Sequence, residues 1–128
     1  MVFFSLKSSF HKFSISYLVG MFVVVNKYVL AKHFEGIVLW PFIFVKRREL
    51  KGNVCFMNHE RIHLRQQLEL LVLPFFIWYL IEYLIRLVQY RNSYKAYTMI
   101  SFEREAYRHE KEVEYLRRRR LWAFWKYL

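Results

Sequence analysis

The chain has 128 residues, of which 56% are hydrophobic and 21% aromatic, and a formal net charge of +11. That length suits one domain whose core folds without staples, and a single cysteine, Cys55, excludes an internal disulfide and any cysteine-built zinc ribbon. Three glycines and two prolines leave little room for linkers or disorder, while the basic excess among so many aromatics points to an anionic partner, a lipid headgroup layer or a nucleic acid.

Residues 1–35 are apolar and basic, with Lys7, Lys12 and Lys27 interspersed. Tyr17 to Val25 has the apolar character of a signal core, but no small-x-small cleavage site follows it. Only 14 uncharged residues separate Lys12 from Lys27, short of the ~20 that cross a bilayer. The segment reads as a core or membrane-surface element, with a retained anchor as the alternative, which favours a cytoplasmic or membrane-associated protein. Gly36 to Val45 is β-branched and aromatic and predicts a strand, with Pro41 favouring a sheet edge. Glu49 to Asn53 reads as a turn and Val54 to Met57 as a short strand leading into a helix.

Asn58 suits the N-cap of that helix. Ile62, Leu64, Leu68, Leu71 and Val72 carry its apolar period to about Leu73. Pro74 then kinks the chain or opens a second helix, Phe75 to about Tyr90, apolar nearly all round, with Glu82 and Arg86 at ion-pair spacing. After a break at Arg91 to Tyr94, a charged third helix is predicted from about Tyr97 to Arg118, followed by an aromatic tail, Leu121 to Leu128. The sum is a mainly helical α+β fold, with a short strand or hairpin, three main helices and a short C-terminal helix. Residues 36–128 form its single domain, preceded by the apolar segment 1–35.

Within the first helix, His59-Glu60-Arg61-Ile62-His63 is a His-Glu-x-x-His pattern. Residues four apart lie one above the other on a helix, so both imidazoles can reach one tetrahedral zinc ion. Glu60, one position round, is placed to act as general base toward a zinc-activated water without being a ligand. A third metal ligand has to come from elsewhere. His59 to Leu73 makes a helix of ~21 Å and Phe75 to Tyr90 one of ~24 Å. Folded back as an antiparallel pair, they return the chain to the level of His59, where the third helix begins. Glu103 falls in its first two turns, and Glu105 is rotated by ~200° to the other side, so only one of the two can reach the metal. The same geometry opposes a transmembrane reading of residues 66–85: a bilayer between them would hold Glu103 ~30 Å from the histidines. Glu82, Pro74 and the charged flanks favour a buried helix there.

These residues resemble the gluzincin metallopeptidases, which include the thermolysin-like families: His59-Glu60-x-x-His63, followed by Glu103-Arg-Glu-Ala-Tyr107 in place of the family's Glu-x-x-Ala/Ser-Asp helix. The chain is also similar, over residues 36–128, to small bacterial proteins with Asn-His-Glu-x-Ile-His-x-x-Gln-Gln and a later Phe-Glu-x-Glu-Ala-Tyr. The resemblance implies that Glu103 is the third zinc ligand and Glu60 the general base of a minimal, single-domain peptidase. Tyr107 stands where the family has an aspartate that orients a zinc-bound histidine, and Glu69 or Glu105 is a candidate substitute. Tyr94, Tyr97, Tyr107 and His109 are candidates for the oxyanion-stabilising group.

The expected function is zinc-dependent hydrolysis of a peptide or protein substrate, with the strand Ile37 to Val45 adding an extended peptide to its edge. A non-enzymatic membrane-associated protein is the alternative. Trp122, Trp125 and Tyr127 beside four arginines suit an anionic membrane interface or packing against the domain. Nucleic-acid binding is disfavoured because the basic residues form no recognised module. Gln66 and Gln67 read as structural, Cys55 as a small buried residue, and His11, His33 and His109 as surface histidines.

Overall fold

The computed structural model describes residues 21–30 and 32–128; Lys7, His11, Lys12 and the beginning of the apolar run at Tyr17 lie outside the described residues. Among the described residues the fold is mainly helical α+β, with a three-stranded sheet and five α-helices. Strands β1 (Phe22–Val25), β2 (Gly36–Leu39) and β3 (Phe42–Val45) are ordered β1-β3-β2. β1 runs parallel to β3, and β2 antiparallel to it. The single strand expected over Gly36 to Val45 is therefore a hairpin. Pro41, with its fixed φ and no N–H, sits in the Trp40–Pro41 reversal rather than inside a strand. Consequently β3 is the central strand, and β2 is the strand of this hairpin that lies at the sheet edge. Alternation along β3 buries Ile43 and Val45 against α1.

A 3-10 turn, Arg48–Gly52, leads into α1 (Val54–Leu70), whose N-cap is Asn53; its side chain accepts from the Phe56 amide at 3.0 Å. The helix thus starts four residues before Asn58, and Val54 to Met57 form its first turn instead of a strand. Two asparagines of equal capping propensity stand five apart, and tertiary contacts decide between them. Asn58 is buried, and its amide donates to the carbonyls of His109, Glu110 and Glu112 at 3.2, 2.9 and 3.1 Å. Cys55, in that first turn, is half-buried rather than buried. Val38, Ile43, Val45, Met57 and Leu64 join α1 to the sheet.

Helix α2 (Val72–Tyr90) follows after Leu71, with Pro74 in its first turn where no helical N–H is lost. Its inner face carries Phe75, which packs with Ile100, Phe102 and Phe124. The expectation of a buried helix fails here. Only Phe75 and Glu82 are buried in α2, and its opposite face is exposed.

The third helix expected over Tyr97 to Arg118 is broken into α3 (Ser93–Thr98), α4 (Ser101–His109) and α5 (Tyr115–Arg118). The cause of the first break is long-range. Ile100 is extended (φ −62, ψ 136) and fully buried, and Glu82 of α2 accepts from the Ser101 N–H at 2.8 Å and the Ser101 hydroxyl at 2.7 Å. A carboxylate from a neighbouring helix thereby caps the N-terminus of α4 with both hydrogen bonds and charge. The expected Glu82–Arg86 pair also forms, at 3.4 Å. The tail ends in a 3-10 turn, Ala123–Tyr127, which packs Phe124 onto Phe102.

Candidate metal centre

Helix α1 is buried on both sides at its middle, by the sheet and by α4, so its central polar residues are held in a dry environment. His59, Glu60 and His63 are 7%, 6% and 8% exposed. As the four-residue spacing requires, His59 and His63 point the same way: their Nε2 atoms are 3.1 Å apart. Glu103, in the first turn of α4, brings a carboxylate to both, with Oε2 3.2 Å from His59 Nε2 and Oε1 3.3 Å from His63 Nε2. These three side chains form a cluster able to hold a metal ion. Glu105 lies on the other side of α4, as its 200° rotation dictates, where Arg119 pairs with it.

The geometry fits a cation. A tetrahedral ion with bonds of about 2.0–2.1 Å needs donor atoms about 3.3–3.4 Å apart; the two imidazole nitrogens are 3.1 Å apart, each has one oxygen of the Glu103 carboxylate at 3.2–3.3 Å, and one ligand atom from each of the three residues lies within 4.8 Å of the others. The outer nitrogens fix the tautomers. His63 Nδ1 lies 2.8 Å from Gln66 Oε1, an atom that can only accept, because Gln66 Nε2 donates to the Phe102 carbonyl at 3.1 Å and to Glu105 Oε2 at 3.0 Å. His59 Nδ1 lies 2.9 Å from Glu110 Oε2. Both Nδ1 atoms therefore carry protons, which leaves both Nε2 lone pairs, in the neutral rings, aimed at one point beside a carboxylate. Two such lone pairs repel unless a proton or a metal ion sits between them.

Electrostatics in the metal-free chain follow from this. Burial alone would lower the pKa of His63, but the charge of Glu103 and its hydrogen bond outweigh burial and hold the imidazole up at about 9. Burial would likewise raise Glu103, yet the charge of His63 and the close approach of both imidazoles hold its carboxyl well below the usual range. A binding cation must displace the His63 proton, so its apparent affinity is expected to rise about tenfold for each pH unit, levelling off near the His63 value of about 9. Zinc titration against a competing chelator at two pH values reads that slope.

Glu60 does not join the cluster as a ligand. Burial pushes its carboxyl above the ordinary range, and the nearby imidazoles partly counter it. Among the described residues it has no hydrogen-bond partner, so its oxygens are free to accept a proton. Gly36, at the start of β2, gives the Phe56 and Glu60 side chains their room. A Cβ there would lie 2.5 Å from Phe56 Cζ and 3.0 Å from Glu60 Oε1.

Several supporting residues carry roles not assigned from sequence. Glu110 takes the histidine-orienting part for which Glu69 and Glu105 were candidates; those two bind Arg119 instead. Glu110 stands seven residues after Glu103, almost two full helical turns, and that spacing was a readable signal. Gln66 orients His63, whereas Gln67 is structural as expected, donating to the Val38 carbonyl and accepting from the Trp40 amide at 2.8 Å each. Tyr79 of α2 donates to Glu103 Oε1 at 2.8 Å; no local pattern marks it.

Of the oxyanion candidates, Tyr107 packs against the His59 ring with centroids 4.6 Å apart, and its hydroxyl is 3.4 Å from that of Tyr97. Burial raises the pKa of both phenols and keeps them protonated. Tyr94 is exposed, and His109 is engaged by Glu112 at 2.9 Å and Tyr127 at 2.6 Å. Phe34 stands edge-on to Tyr97 at 6.0 Å and extends the aromatic wall. No protein-family model, curated protein or solved structure matches this chain.

Proposed function

We propose that this chain is a small zinc-dependent metallopeptidase of the gluzincin kind, with His59, His63 and Glu103 as the ligands and Glu60 as the general base. One observation carries the reading: two imidazole nitrogens and a carboxylate converge at 3.1–3.3 Å with their tautomers set from outside. Two histidines and a glutamate form a zinc set that leaves a fourth position open for water. When bound, zinc supplies Lewis-acid polarisation of a substrate carbonyl and a lowered pKa for the attacking water.

The chain's own residues do the rest. Glu60, buried beside the cluster and uncommitted to any partner among the described residues, takes the proton of the attacking water and returns it to the leaving amine. Tyr107, at the rim against His59, donates to the developing oxyanion. Glu110 and Gln66 keep the imidazoles in the ligating tautomer. An extended peptide adds to the part of the β2 edge that no other described residue occupies. Because Gln67 already occupies Val38 and Trp40, the peptide pairs toward Gly36, beside Glu60.

The test is hydrolysis of an unstructured peptide library by the full chain loaded with zinc. Cleavage that stops on chelation and returns with added zinc is the expected result. Cleavage indifferent to chelation, or none with a full equivalent of zinc bound, would overturn the proposal.

A further inference from the structure

Helix α2 is polarised in the opposite sense to a helix that faces water. Its only two charged residues, Glu82 and Arg86, lie on the inner face, paired with each other. The outer face carries Leu73, Ile77, Leu80, Ile81, Leu84 and Val88, each at least 50% exposed. At 100° per residue those six occupy an arc of about 100°, with Glu82 and Arg86 roughly opposite. This is an uninterrupted aliphatic stripe along a 19-residue helix, which is long and apolar enough to cross a membrane.

Crossing is opposed by what packs on the inner face. Tyr79 and Glu82 hold α4, which carries Glu103, Arg104, Glu105 and Arg108, and those charges would have to enter the bilayer with it. A helix lying in the plane of the interface, with only its stripe immersed, avoids that cost.

The rim of the stripe identifies the occupant. At its C-terminal end stand Arg91 and Lys95, both exposed, the Lys95 ammonium 4.9 Å from the centre of the Tyr90 ring. Along its border the tail seats Trp125 against Trp78 at 5.6 Å and exposes Trp122, Arg120 and Lys126. Aliphatic stripe, indole border, cationic C-terminal end and basic tail match the layers of an anionic membrane surface from tails to headgroups. A second copy of the chain matches poorly, because each copy brings a net charge of +11.

We propose that the outer face of α2, with the tryptophan tail beside it, docks this protein in the plane of an anionic lipid bilayer. Through Tyr79 the candidate metal centre then sits about one helix diameter, roughly 10–12 Å, from the lipid. The docking surface is independent of the peptidase reading, and its test requires no activity.

That test is flotation of the full chain with phosphatidylcholine vesicles, with and without phosphatidylglycerol. The wild type is expected to float with the anionic vesicles and to be released at about 0.5 M salt. The double variant Ile77→Glu/Leu84→Glu, whose circular dichroism should match the wild type, is expected to lose at least about tenfold in partitioning. Arg91→Gln and Lys95→Gln should each cost about fivefold on anionic vesicles. Failure to float, flotation unchanged by the glutamate pair, or equal binding to neutral vesicles would overturn the proposal. So would a stable dimer in vesicle-free buffer that the glutamate pair dissociates, since the stripe would then belong to a second copy.

Discussion

Arg119→Ala is expected to destabilise the folded chain by about 3–5 kcal/mol, the usual cost of stripping one partner from a buried ion pair. The Arg119 and Glu105 side chains are fully buried and that of Glu69 is 3% exposed; Arg119 pairs with both carboxylates. Tyr115 donates to Glu105 at 2.9 Å and Gln66 at 3.0 Å, but neither brings a charge. Without the guanidinium, Glu105 would remain ionised in a closed interior or take up a proton, and either outcome weakens the fold. Against a typical total stability of about 5–15 kcal/mol this is a large fraction. The urea midpoint should fall by roughly 2 M. A shift below about 0.5 M would mean that water, and not the guanidinium, solvates the two carboxylates.

Glu60→Gln is expected to reduce peptide hydrolysis by about 10²–10⁴-fold with zinc content unchanged. Glutamine keeps the volume of the side chain and its packing under Gly36, but it cannot take a proton from water. The raised pKa of Glu60 bears on this directly: burial brings the carboxyl closer to working pH, where a base is most effective. The readout must separate chemistry from folding, so metal content and the urea midpoint are measured on the same preparation. Hydrolysis within about tenfold of wild type in the glutamine variant would remove Glu60 from its assigned part.

Local periodicity explains which features were legible in the sequence. His59 and His63 share a face because of their spacing alone, and a 200° rotation lets only one of Glu103 and Glu105 face them; the preference for Glu103 came from the family resemblance. The length of α2 was also legible, since an apolar run after Pro74 has few other options. Features decided by distant contacts were not. Asn53 and Asn58 are the same residue type, and only the 109–112 turn, which binds the Asn58 amide, makes Asn53 the cap.

The break between α3 and α4 carries no glycine or proline. Burial of Ile100 and capping by Glu82 impose it, against helical propensity on either side. Tyr79 supports Glu103 from another helix, 24 positions away. The exposure of α2 was misread for a related reason. An apolar helix in a 128-residue chain is expected to be core, and nothing in its own sequence says that α4 needs only one of its faces.

If His59, His63 and Glu103 bind one metal ion, metal analysis of the purified chain must find it. The wild type should carry one equivalent of zinc, and His63→Ala and Glu103→Ala should each lose it, because removing a ligand costs more than the roughly 10–100-fold of removing an outer hydrogen-bond partner. A wild type that takes up no stoichiometric metal, or either variant retaining a full equivalent, would mean that these three side chains are not a metal site.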